Sequence, residues 1–311
     1  MNVLITGGCG HIGSFLIRNM SKNYNIKVVD NFLTQRYCSL FNIDRNITNI
    51  EFSDESIDDI EVNYLDNIDT VIHLAAYTDA STSFKKRELV ESINVESTKV
   101  FIEKCLNSNV STFVFPSSTS VYGVSADVVY EDNPNHVNPQ SPYAETKINI
   151  EEFIKTQFRY ESKYLILRFG TIFGYSIGMR FHTAINKFCY QAAMNKPLTI
   201  WKENYEQVRP YLGLSDAKRS ILHLIEKKNL LNETYNVISG NFKLRDIVEI
   251  ITKCFDNVDI NMIETPLLNQ FSYNVSDQKI RNTGYISKDS LEMEIEKTRD
   301  VLLYKSVPFR W

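Results

Sequence analysis

The chain has 311 residues, a formal net charge of −4, 43% hydrophobic and 23% charged side chains, so it has room for one large or two smaller domains with an ordinary buried core. The acidic balance excludes the basic surface of a nucleic-acid binder, and no apolar run reaches the roughly 18 residues of a membrane span. Cys9, Cys38, Cys105, Cys189 and Cys254 are scattered without C-x-x-C spacing. Neither a metal centre nor a disulfide framework is therefore expected, and a reducing, cytoplasmic setting without a signal peptide is.

The first apolar run, Val3-Leu4-Ile5, reads as a buried strand. Gly8, Gly10 and Gly13 follow at G-x-G-x-x-G spacing where a helix should open, the layout of a dinucleotide site. The glycines allow a tight turn, close approach of a pyrophosphate and packing of helix on sheet, and the helix N-terminus offers free N–H groups. A second apolar run ends in Asp30. A carboxylate there, about 20 residues past the glycines, accepts from both ribose hydroxyls of NAD and repels the 2′-phosphate of NADP, so NAD is the expected cofactor.

A polar stretch to about Asn49 reads as loop with one short helix, and Ile50-Glu51-Phe52 as a brief strand before Asp54. Asp69 to Ala76 forms another strand that opens into small residues, Ala75 and Ala76. Helical periodicity covers 88–107, with Val90, Ile93, Val100, Phe101 and Leu106 as the expected buried side. Thr112-Phe113-Val114-Phe115 then makes a strand that stops at Pro116-Ser117-Ser118. Alternating strands and helices predict a doubly wound parallel sheet, α/β in class. Ligands on such sheets bind beyond the carboxyl ends of the strands, so the glycine turn, Asp30, Asp54, Ala75-Ala76 and Ser117-Ser118 are expected on one rim.

Pro142-Tyr143-Ala144-Glu145-Thr146-Lys147 opens an amphipathic helix and places Tyr143 and Lys147 on one face. An ammonium beside a phenol favours the phenolate, which suits proton transfer at neutral pH. Ser118 is the candidate partner for an alcohol oxygen that becomes a carbonyl.

Taken together, Thr6-Gly7-Gly8-Cys9-Gly10-His11-Ile12-Gly13, Asp30, Asp54, His73-Leu74-Ala75-Ala76, Asn94, Ser117 to Gly123 and Tyr143 to Lys147 resemble the extended short-chain dehydrogenase/reductase family, within it the NAD-dependent nucleotide-sugar epimerase/dehydratase group. The resemblance implies a Rossmann-type domain over 1–170 with a returning segment near 211–240, and a smaller α/β substrate lobe mainly over 171–311. It implies cofactor contacts at Gly7, Gly10, His11, Ile12, Gly13, Asp30, Asn31, Asp54, Leu74, Ala75, Ala76, Asn94, Tyr143 and Lys147. Catalysis falls to Ser118, Tyr143 and Lys147. Substrate contacts are implied at Thr119, Thr171, Arg180, Arg209 and Tyr273, with Arg209 of Arg209-Pro210-Tyr211 meeting a nucleoside diphosphate. Thr234-Tyr235-Asn236-Val237 looks like a strand returning to the sheet. A homodimer, paired through the Tyr143 helix and the one near Asn94, is a further family expectation.

Family members that remove water across C5 and C6 of the sugar usually carry Asp-Glu directly after the catalytic serine or threonine. Here Thr119 and Ser120 stand in those places, which disfavours a 4,6-dehydratase. The leading reading is a nucleotide-sugar epimerase working through a transient 4-keto sugar, with Lys147 lowering the pKa of Tyr143. A nucleotide-sugar 4-dehydrogenase or reductase is the alternative, and a non-catalytic NAD-binding regulator the third. Two departures from the 4-epimerase pattern stand out: Thr171 where many carry Asn, and the segment Gly178-Met179-Arg180-Phe181. His73, His136, His182 and His223 read as structural, and His11 as a backbone requirement of the turn.

Overall fold

The computed structural model describes residues 1–20, 23–44, 49–125, 127–158, 162–264 and 272–304. In chain order its strands are β1 (Asn2–Thr6), β2 (Asn25–Val29), β3 (Asn49–Ser53), β4 (Thr70–His73), β5 (Thr112–Ser118), β6 (Val128–Val129), β7 (Lys163–Phe169), β8 (Thr171–Phe173), β9 (Leu198–Trp201), β10 (Val208–Gly213), β11 (Glu233–Val237), β12 (Gly240–Lys243), β13 (Ile260–Ile263) and β14 (Asn274–Val275). Seven of them form one parallel sheet in the order β11-β7-β5-β4-β1-β2-β3. The strand order reverses between β1 and β4, which opens a crevice above their carboxyl ends.

The sheet is apolar on both faces because helices cover both. Val3, Ile5, Val114, Leu165 and Leu167 point into one core with Leu16, Ile17, Ala217 and Ile221. Their neighbours Leu4, Phe113, Phe115 and Ile166 point the other way, against Phe101, Ile102, Ile150 and Ile154. The period of two along β1, β5 and β7 thus feeds two separate cores, which fixes strand register. A third core joins Phe173, Ile185, Phe188, Ile200, Tyr211, Ile247 and Ile295 beneath the smaller sheet β12-β10-β8.

The long helix after β4 departs from its expected face. It runs as α-helix over Arg87–Glu91, as π-helix over Ser92–Ser97 and again as α-helix over Thr98–Leu106. A wider π turn rotates everything after it relative to the 3.6-residue period. Val100 is consequently exposed, while Val95, Phe101, Ile102 and Cys105 carry the burial. Asn94, inside the π segment, accepts from Tyr77 N at 2.7 Å and donates to Tyr77 O at 2.9 Å. It fastens the helix to the backbone that leaves β4.

Candidate active site

Two joined clefts lie over the switch point. The first, about 450 Å³, is lined by the glycine turn, Asp30, Asn31, Arg36 and Leu74-Ala75-Ala76. Gly7 adopts φ +65°, and a Cβ there would fall 2.6 Å from Ala75 N. A Cβ on Gly13 would fall 2.5 Å from Gly8 Cα. Gly10 is different, since the nearest atom to its imagined Cβ is Gly7 O at 3.2 Å and the cleft begins beyond. Two glycines therefore serve packing and the third leaves bare backbone facing the cleft, as a pyrophosphate requires. Asp30 ends β2 and accepts from Cys9 N at 2.8 Å and Phe32 N at 2.9 Å, so its carboxylate also shapes the turn.

His11 does more than satisfy the turn. Its Nε2 donates to Gly174 O at 2.9 Å, Ser176 Oγ donates to His11 O at 2.8 Å, and Gly178 N donates to Ser14 Oγ at 3.0 Å. A Cβ on Gly178 would fall 2.5 Å from Cys9 O. The loop after β8 is thus clamped onto the dinucleotide turn. His73 is held in the core by Thr6 Oγ1 at 2.9 Å and Thr98 Oγ1 at 3.2 Å. Burial pulls both His11 and His73 down to about 3.

Stability should reflect these two neutral histidines. Between about pH 6.5 and 3 the unfolded chain binds a proton at each that the folded protein refuses, so stability is full above the unfolded value and falls as pH drops. Each histidine is expected to contribute a loss of about 1.4 kcal/mol per pH unit in that window. Denaturant unfolding of the wild type and His73→Gln at several pH values checks it, the variant losing one share of the slope.

The second cleft, about 410 Å³, is lined by Ser118, Thr119, Tyr143, Lys147, Thr171, Arg180, Lys187, Gln207, Arg209 and Tyr273, among others. Ser141 caps the helix Pro142–Gln157 by accepting from Ala144 N at 3.2 Å, with Pro142 at its first position. Tyr143 and Lys147 project from the first turns and line the cleft together with Ser118 at the end of β5. Ser118 Oγ also accepts from Ser120 N at 3.2 Å. Lys147 is buried; its Nζ donates to Pro116 O at 2.9 Å and stands 5.8 Å from the Tyr143 ring centre. Burial lowers Lys147 to about 8 against the opposing pull of Glu151. Burial raises Tyr143, and the charge that most opposes this rise is the Arg180 guanidinium, followed by the Ser118 hydrogen bond.

A model of the NAD dependent epimerase/dehydratase family matches residues 3–237. The chain belongs to that family. A UDP-glucuronic acid 4-epimerase from Bacillus cereus, solved with UDP-glucuronic acid and NAD, superposes on this family member with a TM-score of 0.86 at 26% identity, over 97% of this chain and 99% of that one. A UDP-N-acetylglucosamine 4-epimerase from Methanobrevibacter ruminantium shares the fold with a TM-score of 0.88 at 22% identity, over 98% of this chain and 99% of that one. Among curated sequences, an uncharacterized UDP-glucose epimerase of Bacillus subtilis is 28% identical over 81% of this chain and 80% of its own length. A trifunctional UDP-glucose 4,6-dehydratase, 3,5-epimerase and reductase of Arabidopsis thaliana is 29% identical over 96% of this chain; the chain spans 46% of that protein's length.

In this family member, nearly all the residues expected at the site reach one of the two clefts. Asp54 does not: it is exposed, and the residues that line the cofactor cleft after β3 are Glu55, Ser56, Ile57 and Asp58. Asn94 is not a lining residue and acts through the Tyr77 backbone. Arg36, Lys187, Thr183 and Gln207 are lining residues that no motif announced. Among the described residues no cluster of His, Cys, Asp or Glu suits a metal, and no helix is long and apolar enough to cross a membrane.

Among the described residues the second cleft is lined by a single carboxylate, Asp79. That group caps a short helix, accepting from Ser81 N at 3.0 Å and Thr82 N at 3.1 Å. Burial acts to raise it, but these hydrogen bonds outweigh burial and leave Asp79 below the usual range. It is held as a carboxylate and is poorly suited to donate a proton.

Proposed function

We propose that this protein is an NAD-dependent nucleotide-sugar epimerase that works through a transient 4-keto sugar. The observation that carries the reading is the composition of the second cleft: Tyr143, Ser118 and Lys147 line it together, and its sole carboxylate among the described residues is tied up as a helix cap. Elimination of water needs an acid and a base beyond the tyrosine, whereas oxidation and re-reduction at one carbon need only the tyrosine.

Tyr143 takes the proton of the sugar C4 hydroxyl and returns one to the ketone oxygen after the sugar has turned over. Ser118 donates to that oxygen as its charge develops. Lys147 holds a positive charge behind the pair, anchored on Pro116 O. Bound NAD supplies the acceptor and donor of the C4 hydride. Asp30 would hold its ribose, the Gly10 backbone its pyrophosphate, and Ala75 and Ala76 its flat surface. Arg209 and Lys187 suit the substrate diphosphate, because a guanidinium fork and an ammonium pair with phosphate oxygens.

The purified protein incubated with GDP-, UDP-, CDP- and dTDP-sugars should convert one of them to its C4 epimer with no lasting rise in reduced-nicotinamide absorbance. A lasting rise with accumulating ketosugar would make it a 4-dehydrogenase instead. Arg209→Met is expected to raise KM by about 10- to 100-fold with kcat little changed, as loss of a charge-assisted hydrogen bond to the diphosphate implies. Steady-state kinetics on the substrate so identified would show it, and an unchanged KM would remove Arg209 from the binding site.

A further inference from the structure

Among the described residues, Arg180 is the one cation lining the substrate cleft that also lines the cofactor cleft. Its Nε is buried without a hydrogen-bond partner, and among the described residues it forms no ion pair. Burying a guanidinium without a counter-ion is expensive, so something other than charge pairing must hold it. Backbone does that work. Asn186 Nδ2 donates to Arg180 O at 3.0 Å, and the preceding loop is clamped to the glycine turn through His11, Ser14 and Gly178. The residue is thereby fixed where the clefts meet, and it shares the second cleft with the tyrosine that handles the proton.

The charged and titratable groups around this junction are few. Arg180 feels Tyr143, Arg36 and Asp79, and it acts in turn on His182. Asp79 is committed to its helix cap. Burial keeps His182 neutral by lowering it to about 4. Ser118 lines the cleft with Tyr143, while Lys147 turns its Nζ to Pro116 O. Burial lowers Arg180 itself to about 10, still high enough for it to be charged at neutral pH.

We propose that Arg180 is a further catalytic residue, whose fixed positive charge stabilises the anion shared by the Tyr143 oxygen and the reacting sugar oxygen as the proton passes between them. This rests on the sugar-oxidation reading above. As the O–H bond of the sugar breaks and that of Tyr143 forms, negative charge moves from the phenolate to the sugar oxygen. It is discharged when the C4–H electron pair leaves and the carbonyl forms. Arg180 gives up no proton at any point. A guanidinium beside the path favours the anion at both ends, and its removal should make Tyr143 a base only at higher pH.

The test compares wild type, Arg180→Met, Arg180→Gln and Arg180→Lys in the full chain, each also carrying Tyr143→Phe. The Tyr143 titration is read as the difference in phenolate ultraviolet absorbance between each protein and its Tyr143→Phe partner, with and without NAD. The Met and Gln variants are expected to ionise Tyr143 about one pH unit or more higher and to lose about tenfold in kcat/KM at neutral pH per unit, regained as pH rises. The Lys variant should stay near wild type. If either neutral variant binds NAD and leaves the Tyr143 titration unmoved, the proposal is overturned. A loss of kcat/KM equal at every pH would likewise overturn it and reduce Arg180 to a binding group. The titration needs no turnover, so failure to find an epimerised sugar would strike the functional reading and leave this result to stand or fall alone.

Discussion

Tyr143→Phe is expected to lower kcat by about a thousandfold or more while the protein still folds and still carries NAD. The substitution removes one oxygen from a side chain whose ring packs at the mouth of the helix Pro142–Gln157, so the cost in packing is small. What disappears is the only group among the described residues of that cleft suited both to accept and to return the proton: Asp79 is locked in a cap, His182 is pulled down to about 4 and neutral, and Ser118 is too weak an acid. General acid and base catalysis of this kind contributes about 10²- to 10⁴-fold. The check is turnover on the identified nucleotide sugar, alongside identification of the nucleotide released on denaturation. Activity retained at wild-type level would end the mechanism proposed for this site.

The second large effect concerns the floor of the same site. Arg168 on β7 grips Glu151 from Nε at 3.0 Å and Nη2 at 2.6 Å, with side chains only 3% and 1% exposed. Ser117 Oγ adds a bond of 2.5 Å to Glu151, and Arg168 Nη1 donates to Tyr122 OH at 3.0 Å. Arg168→Met would leave Glu151 buried and uncompensated, at a cost of about 3–5 kcal/mol. Arg168→Met combined with Glu151→Leu should recover much of that, since a well-packed apolar pair in place of a buried ion pair is often neutral. Urea unfolding of the two single variants and the double variant measures the coupling directly. Because Ser117 precedes Ser118 and Glu151 lies one turn beyond Lys147, the single variants should also lose activity out of proportion to their stability.

Much of this molecule could be read from local sequence because the signals involved are local. The glycine turn, Asp30, and Tyr143 with Lys147 are each set by spacing within one turn or one strand-helix unit, and each lines one of the two clefts. The returning strand Glu233–Val237 was legible for the same reason. Where the reading failed, the decisive force was tertiary. Asp54 follows β3 as expected and is exposed, while the residues lining the first cleft there are Glu55, Ser56, Ile57 and Asp58, a detail that spacing does not fix. Val100 fits a 3.6-residue period that the π segment at Ser92–Ser97 breaks, and nothing in the spacing of apolar residues marks a π turn. His11 looked like a backbone accommodation, whereas its partner Gly174 lies 163 positions away and no periodicity connects the two. Lys147 and Arg180 show the same divide. Both line the second cleft with Tyr143, but only the fold shows that Lys147 spends its ammonium on Pro116 O while Arg180 reaches both clefts.

The first core has a consequence for how the protein is made. Ala217, Leu224, Ile280 and Tyr285 pack into the cluster that holds Val3, Ile5 and Leu167, and Tyr285 OH donates to Asp216 O at 3.0 Å. One face of the sheet therefore waits for residues that leave the ribosome long after its first six strands. Until then the nascent chain carries an uncovered apolar surface, with β7 as an open edge that β11 has yet to close. Synthesis order and folding order are at odds in this protein, and the stretch between them is where a chaperone would be needed.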